Sequence, residues 1–140
     1  MRNWWHANGD SALSAFSELL NSDMKKIIFY SPDFTLNLSF LMYLQPLYNI
    51  TTTTDIDDLK AICSSFSCDL ILLDAPPSSD MELLCRDLKL LKSETPIVLL
   101  YVFDKKFKTF EENIRKYVSS VFYKPFDLDN VTQQLSMLTG

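Results

Sequence analysis

The stretch Leu70-Ile71-Leu72-Leu73-Asp74 decides how this chain is read. Four consecutive apolar residues lack the alternation of a half-exposed strand. They fit a strand covered on both faces, as in a parallel sheet. Asp74 then sits just past the strand end. Similar runs lie to either side. Ile27 to Tyr30 is short, nearly all apolar and stopped by Pro32, and Pro96 opens another run through Phe103. Tyr48 to Thr54 is rich in β-branched residues, which favour strands, and Val118 to Tyr123 is the last run of this kind.

The segments between these runs have helical spacing. Thr35 to Leu44 carries Leu36, Phe40, Met42, Tyr43 and Leu44 before Gln45-Pro46 breaks it. Asp55 is placed to cap a helix, with Asp58 at the capping-box position and Leu59, Ile62 and Phe66 as its core face. After the loop Ala75-Pro76-Pro77-Ser78-Ser79, Asp80 is read as the cap of a helix whose stripe is Leu83, Leu84, Leu88 and Leu91. Asp104 opens a helix with Phe107, Phe110, Ile114 and Tyr117 inward. Lys124-Pro125-Phe126 is a turn, and Asp127 to Leu138 forms the last helix.

From Lys25 the order is therefore strand-helix repeated five times. That order predicts an α/β fold, a doubly wound five-stranded parallel sheet with right-handed crossovers. Chemistry in such sheets lies beyond the carboxyl ends of the strands. The residues to watch are Ser31, Pro32 and Asp33; Asp74; Tyr101 to Asp104; and Lys124 with Pro125.

Composition closes off several functions. The 140 residues are one ordinary domain, long enough to bury roughly two-thirds of the unfolded surface. The only glycines are Gly9 and Gly140. A Walker loop, a GxGxxG turn and a GxSxG elbow all need glycine for positive φ or close backbone approach, so none can form. The single histidine, His6, would have to carry any triad or multi-histidine metal site alone. A net charge of −5 is a poor match to phosphate backbones, so no direct nucleic-acid contact is expected. No apolar run approaches the ~20 residues of a membrane span. The cysteines, Cys63, Cys68 and Cys85, are odd in number and form no CxxC pair. They read as reduced, buried thiols in a cytoplasmic protein.

The strand-three aspartate and a lysine-proline pair ending strand five would meet on one rim. With Leu70 to Asp74, Thr95-Pro96-Ile97-Val98-Leu99-Leu100 and Lys124-Pro125-Phe126 in this order and spacing, the chain resembles the receiver domain of two-component response regulators, over about residues 25 to 138. The resemblance implies a flavodoxin-like receiver fold over 24–140; the residue pattern places a tail and an amphipathic helix over 1–23 before it. It implies that Asp74 is the phosphoacceptor candidate. Lys124, before a proline that is usually cis in that family, would neutralise the phosphoryl group.

The rest of the family's set is altered. Ser31 and Pro32 stand where two acidic residues would hold magnesium, and Asp33 is one residue on. Tyr101 stands at the hydroxyl switch position. Val121 stands at the aromatic switch position, beside Phe122 and Tyr123. The glycine usual after the strand-three loop is missing, and Pro76-Pro77 occupies a shortened loop. The family's site carries three carboxylates and one lysine. Here Asp74 and Lys124 cancel, and Asp33 would leave a single negative charge. Magnesium needs near-octahedral oxygen ligation, so metal held by Asp33 and Asp74 is expected to be weak and no other cofactor is expected. Phosphoryl transfer relies on that metal. The expectation is an atypical, non-enzymatic receiver in a phosphorelay setting, signalling mainly by protein contact. The alternative is a competent receiver taking phosphate on Asp74 from a histidine kinase.

The remaining features point to contacts. Ala12, Leu13, Phe16, Leu19 and Leu20 form one helical stripe after a tail containing Trp4-Trp5-His6. Without lysine or arginine between Asn3 and Met24, this segment is a poor membrane binder. It suits intramolecular packing or a dimer. The face of helix four, strand five and helix five is the other dimer candidate. Lys105, Lys106, Lys108, Arg115 and Lys116 make helix four locally basic, as for an acidic partner. The chain ends soon after helix five, so output through a protein partner, either a kinase or an output protein, is expected. Two other classes weigh less. A flavodoxin-type flavin binder would want free amide donors after strand one, where Pro32 removes one and Asp33 repels phosphate. A hydrolase with Asp74 as nucleophile lacks a recognisable second acid.

Overall fold

A computed structural model describes residues 24–140. The expected N-terminal tail and amphipathic helix over 1–23 lie outside the described residues. Five parallel strands, β1 (Lys26–Tyr30), β2 (Asn49–Thr53), β3 (Leu70–Asp74), β4 (Ile97–Tyr101) and β5 (Ser120–Tyr123), form one sheet in the order β2-β1-β3-β4-β5. The helices are α1 (Phe34–Leu44), α2 (Ile56–Ser65), α3 (Ser79–Leu91), α4 (Lys108–Ile114, after a 3-10 turn at Lys105–Phe107) and α5 (Leu128–Thr139).

Strand alternation sorts the core into two layers. Ile28, Tyr30, Ile71, Leu73, Leu99 and Tyr101 face α2, α3 and α4. Ile27, Phe29, Leu70, Leu72, Val98 and Leu100 face α1 and α5. All five residues of β3 and of β4 are buried, as their unbroken apolar runs require. Phe40 of α1 fills the second layer, its ring centroid 4.6 Å from that of Phe29 and 5.8 Å from that of Phe126.

The helices start where the strands end, and side chains cap them there. Asp33 accepts from the Thr35 and Leu36 N–H groups, Asp55 from Asp57, Asp104 from Lys106 and Asp127 from Asp129. The cap of α3 is Ser78, which accepts from Met81 N–H; Asp80, expected as the cap, lies inside the first turn. The buried face of α3 is Met81, Leu84, Cys85 and Leu88, so the expected members Leu83 and Leu91 are exposed. That stripe lies about one helical position from the expected one, because Met81 and Cys85 compete with the leucines for the core. Phe66 ends α2 as its C-cap and is 64% exposed, and Met42 also faces outward. On α4, Ile114 is buried and Phe107 and Tyr117 pack at the core edge, but Phe110 is 38% exposed. The 3-10 turn shifts the helical phase there. Strand four ends at Tyr101, leaving Val102 and Phe103 exposed.

Candidate functional site

Parallel register carries the strand ends to one rim. Tyr30 pairs with Thr53 and Leu73, Asp74 with Leu100, and Tyr101 with Tyr123. The backbone continues the pairing past the strands. Ser31 N–H donates to Thr53 O at 3.1 Å, Ala75 N–H to Leu100 O at 3.0 Å and Lys124 N–H to Tyr101 O at 2.9 Å. Ser31, Asp74 and Lys124 therefore meet. A cavity of about 400 Å³ opens on Asp74 and Lys124, lined also by Pro32, Asp33, Tyr101 and Phe107.

Asp74 is buried, and both of its oxygens are engaged. Lys124 Nζ lies 2.5 Å from Oδ1, and Ser31 Oγ donates to Oδ2 at 2.6 Å. The Lys124-Pro125 peptide bond is cis. Ser31 is fully buried and also accepts from the Asp33 N–H at 3.1 Å. Asn37 ties the same corner, its amide donating to Thr53 O at 2.9 Å and Ser31 O at 3.3 Å. Burial and the nearby Asp74 and Asp55 charges push the Tyr30 phenol above its usual range. The Asp33 carboxylate shares the cavity with Asp74 but is bonded to the first turn of α1. Pro32 lines the cavity and offers no donor.

Tyr101 lies in the wall of this cavity with its ring buried edge-on between Phe107 (5.8 Å) and Tyr123 (5.5 Å). Its hydroxyl donates to Glu111 of α4. Tyr123 donates to the same carboxylate at 2.8 Å, and Arg115 Nε donates to its other oxygen at 3.0 Å. Burial alone would raise the Glu111 carboxyl, but the bonds from Tyr101, Tyr123 and Arg115 outweigh it and hold it below the usual carboxylate range. Burial, reinforced by Glu111, pushes the Tyr101 phenol up. Val121 sits two residues before Tyr123 and packs against the core with Tyr101 and Ile114. The aromatic partner at this edge is thus Tyr123.

Glu111, Tyr123 and the Ser31 hydroxyl were not legible as a constellation. The available signals were the i,i+4 spacing of Glu111 and Arg115 and a hydroxyl at the end of β1. Among the described residues no group of three or more His, Cys, Asp or Glu side chains is placed to hold a metal ion.

No family model matches the sequence, and no curated protein matches it. Solved structures do. The chain superposes on the BeF3-activated DrrB receiver domain with a TM-score of 0.70 at 19% identity, covering 82% of this chain and 97% of that one. A two-component response regulator from Clostridium difficile gives 0.71 at 17% identity, over 81% and 94% of the two chains. A CheY-like receiver domain protein from Methanospirillum hungatei JF-1 gives 0.73 at 14%, over 84% and 94%. The chain has the response regulator receiver fold. At these identities the likeness is one of fold. In receiver-fold terms, Asp74 ends the third strand, Lys124 and the cis-proline follow the fifth, and Tyr101 ends the fourth. Among the described residues no helix is long and apolar enough to cross a membrane.

Proposed function

We propose that the chain is an atypical receiver-type signalling module that works by protein contact and does not depend on magnesium-driven phosphorylation of Asp74. The observation that carries this reading is the saturation of Asp74: one oxygen on Lys124, the other on Ser31. Magnesium asks for octahedral oxygen ligation through one or two carboxylates and water. The residues present do not fit it. Ser31 offers a neutral hydroxyl already used by Asp74, Pro32 offers no side-chain oxygen, and the Asp33 carboxylate serves the α1 cap. Without a metal, charge developing on a transferring phosphoryl group has only Lys124 to meet it.

The switch positions support the same reading. Tyr101 is held by Glu111 through its hydroxyl. Contact with a partner then falls to the outer faces. The face of α4, β5 and α5 exposes Phe103, Phe110 and Tyr123 beside basic residues of the 3-10 turn and α4, which suits an acidic protein partner or a second copy.

A second reading has its own observation. The Asp74-Lys124 contact at 2.5 Å is the pairing a phosphoacceptor and its neutralising lysine would keep. Incubation of the full chain with acetyl phosphate and magnesium, followed by intact mass, separates the two. The expected result is an unmodified mass. One added phosphoryl group, lost in Asp74→Asn, would overturn the proposal in favour of the competent receiver.

A further inference from the structure

Helix α1 carries no aspartate, glutamate, lysine or arginine, whereas each of α2 to α5 carries at least one. A surface helix ordinarily turns charged residues outward. On α1, Asn37, Phe40 and Leu44 are buried, and Tyr43 reaches Asp129 of α5. The side turned away from α5 should be the solvated one. It is apolar instead. Phe34 is 71% exposed and Met42 63%, with Leu38 exposed between them. At four-residue spacing the three form one stripe along the helix.

The described chain begins beside this stripe. The Lys25 carbonyl accepts from Asn49 N–H at 2.9 Å, and the Leu47 and Tyr48 N–H groups bond back to Leu44 O at the end of α1. Lys25 and the exposed Leu47 wall one cavity of about 500 Å³. The segment that precedes Lys25 therefore sets out from the C-terminal end of α1.

We propose that residues 10–21 lie along α1 as a helix of the same chain and cover Phe34, Leu38 and Met42. The segment's own stripe of Ala12, Leu13, Phe16, Leu19 and Leu20 supplies the apolar partner, and removal of both stripes from water drives the contact. Glu18 falls on the opposite side of that helix, so its charge stays in solvent. The lengths agree. A helix over 10–21 is about 18 Å long, and α1, with 11 residues, is about 16 Å. The link from Leu20 to Lys25 reaches roughly 17 Å, more than the about 8–10 Å between the axes of packed helices. Both helices then end at the same pole and run parallel, with Leu20 near Met42, Phe16 near Leu38 and Leu13 near Phe34. A second copy of the chain is the rival occupant. A stripe of three side chains is small beside the roughly 800 Å² per partner of a stable interface, and it suits the width of one helix.

The test treats the full chain with dilute hydrogen peroxide and follows sulfoxide at each methionine by peptide mass. Met137 on α5, also highly exposed, is the internal reference. In the unsubstituted chain Met137 should oxidise at least about tenfold faster than Met42. In Phe16→Asp the Met42 rate should rise to that of Met137, and the Met137 rate should not change. Equal rates in the unsubstituted chain, or protection of Met42 that survives both Phe16→Asp and Leu13→Asp, would overturn the proposal. Protection that fades on dilution would also overturn it and assign the stripe to a second copy. Cleavage after Glu18 by a glutamate-specific protease reads the contact from the other side. Leu38→Asp, an exposed position, should speed that cut by at least about tenfold, with the far-ultraviolet spectrum of the fold retained. An unchanged cut would overturn the assignment to α1. Phe66→Asp should leave the cut unchanged; acceleration there would move the segment to the cavity of about 540 Å³ beside Phe66 and overturn it as well.

Discussion

The hydroxyl of Tyr101, at the end of β4, is hydrogen-bonded to the buried carboxylate of Glu111 on α4. This single contact joins the rim of the sheet to a helix of the proposed contact face. It occupies the position where the receiver resemblance implies a small hydroxyl residue free to move. Tyr123 and Arg115 complete the coordination of Glu111, and no buried side-chain polar atom among the described residues lacks a partner.

Removing one donor from that carboxylate leaves it short of a partner in a buried setting. Tyr101→Phe is expected to lower stability by about 1.5–3 kcal/mol, the range for hydrogen bonds to charged groups, as measured by urea unfolding. Tyr123→Phe should cost less, because Tyr123 is more exposed. The double variant should show coupling well above the ~0.5 kcal/mol scatter of independent sites. Additive effects would argue against a shared network.

The same network sets a pH dependence. Glu111 has a depressed folded-state value, so its contribution is fully present above the ordinary glutamate value and is lost as pH falls through the depressed one. Thermal midpoints should therefore drop as pH falls through and below the usual carboxylate range. In Glu111→Gln this component should be absent, and an unchanged acid limb would refute it. Tyr101 has a raised folded-state value, so its contribution is present below the ordinary phenol value and is lost only as pH rises through the raised one. Alkaline titration followed by tyrosinate absorbance should leave Tyr101 un-ionised after the exposed tyrosines have titrated.

At the rim, Lys124→Met deprives buried Asp74 of its cation. Lys124 is 27% exposed, so the loss is discounted from that of a fully buried pair to roughly 1–3 kcal/mol. Ser31→Asp places a second carboxylate beside Asp74, and like charges there destabilise the fold. That variant should regain stability on adding magnesium, which binds only the folded form. The wild-type midpoint should not move. A magnesium shift in the wild type would count against the poor metal fit.

The corrected helix reading makes its own test. Ser78→Ala should cost about 1 kcal/mol as the loss of an N-cap, and Asp80→Ala only a few tenths, through the helix dipole. In the core, Phe40→Ala should cost about 3–5 kcal/mol. At the surface, Phe66→Ala should stay within about 0.5 kcal/mol. Reversed rankings from chemical denaturation would restore the original helix faces.

The strands were legible because burial on both faces leaves no polar residue in β3 before Asp74, nor any in β4 before Tyr101. Asp74 and Lys124 followed, since the end of a parallel strand fixes the rim. The helix faces were less legible. On α3 two overlapping stripes share Leu84 and Leu88, and only packing against β3 and β4 chooses Met81 and Cys85 over Leu83 and Leu91. The Ser31 bond to Asp74 spans 43 residues, and the bond from Tyr101 to Glu111 spans a strand end and a helix. Partners of that kind are set by the tertiary fold, so local pattern carries little trace of them.

The aspartate caps of α1, α2, the 3-10 turn and α5 reach further than local helix stability. All four lie at the end of the sheet that holds Asp74. The amides that elsewhere would welcome an incoming anion each face an internal carboxylate. These four carboxylates place negative charge at this end, offset by Lys124 and the lysines after Asp104. A cationic peptide meeting these carboxylates, away from the α4 lysines, should associate more slowly as salt is added.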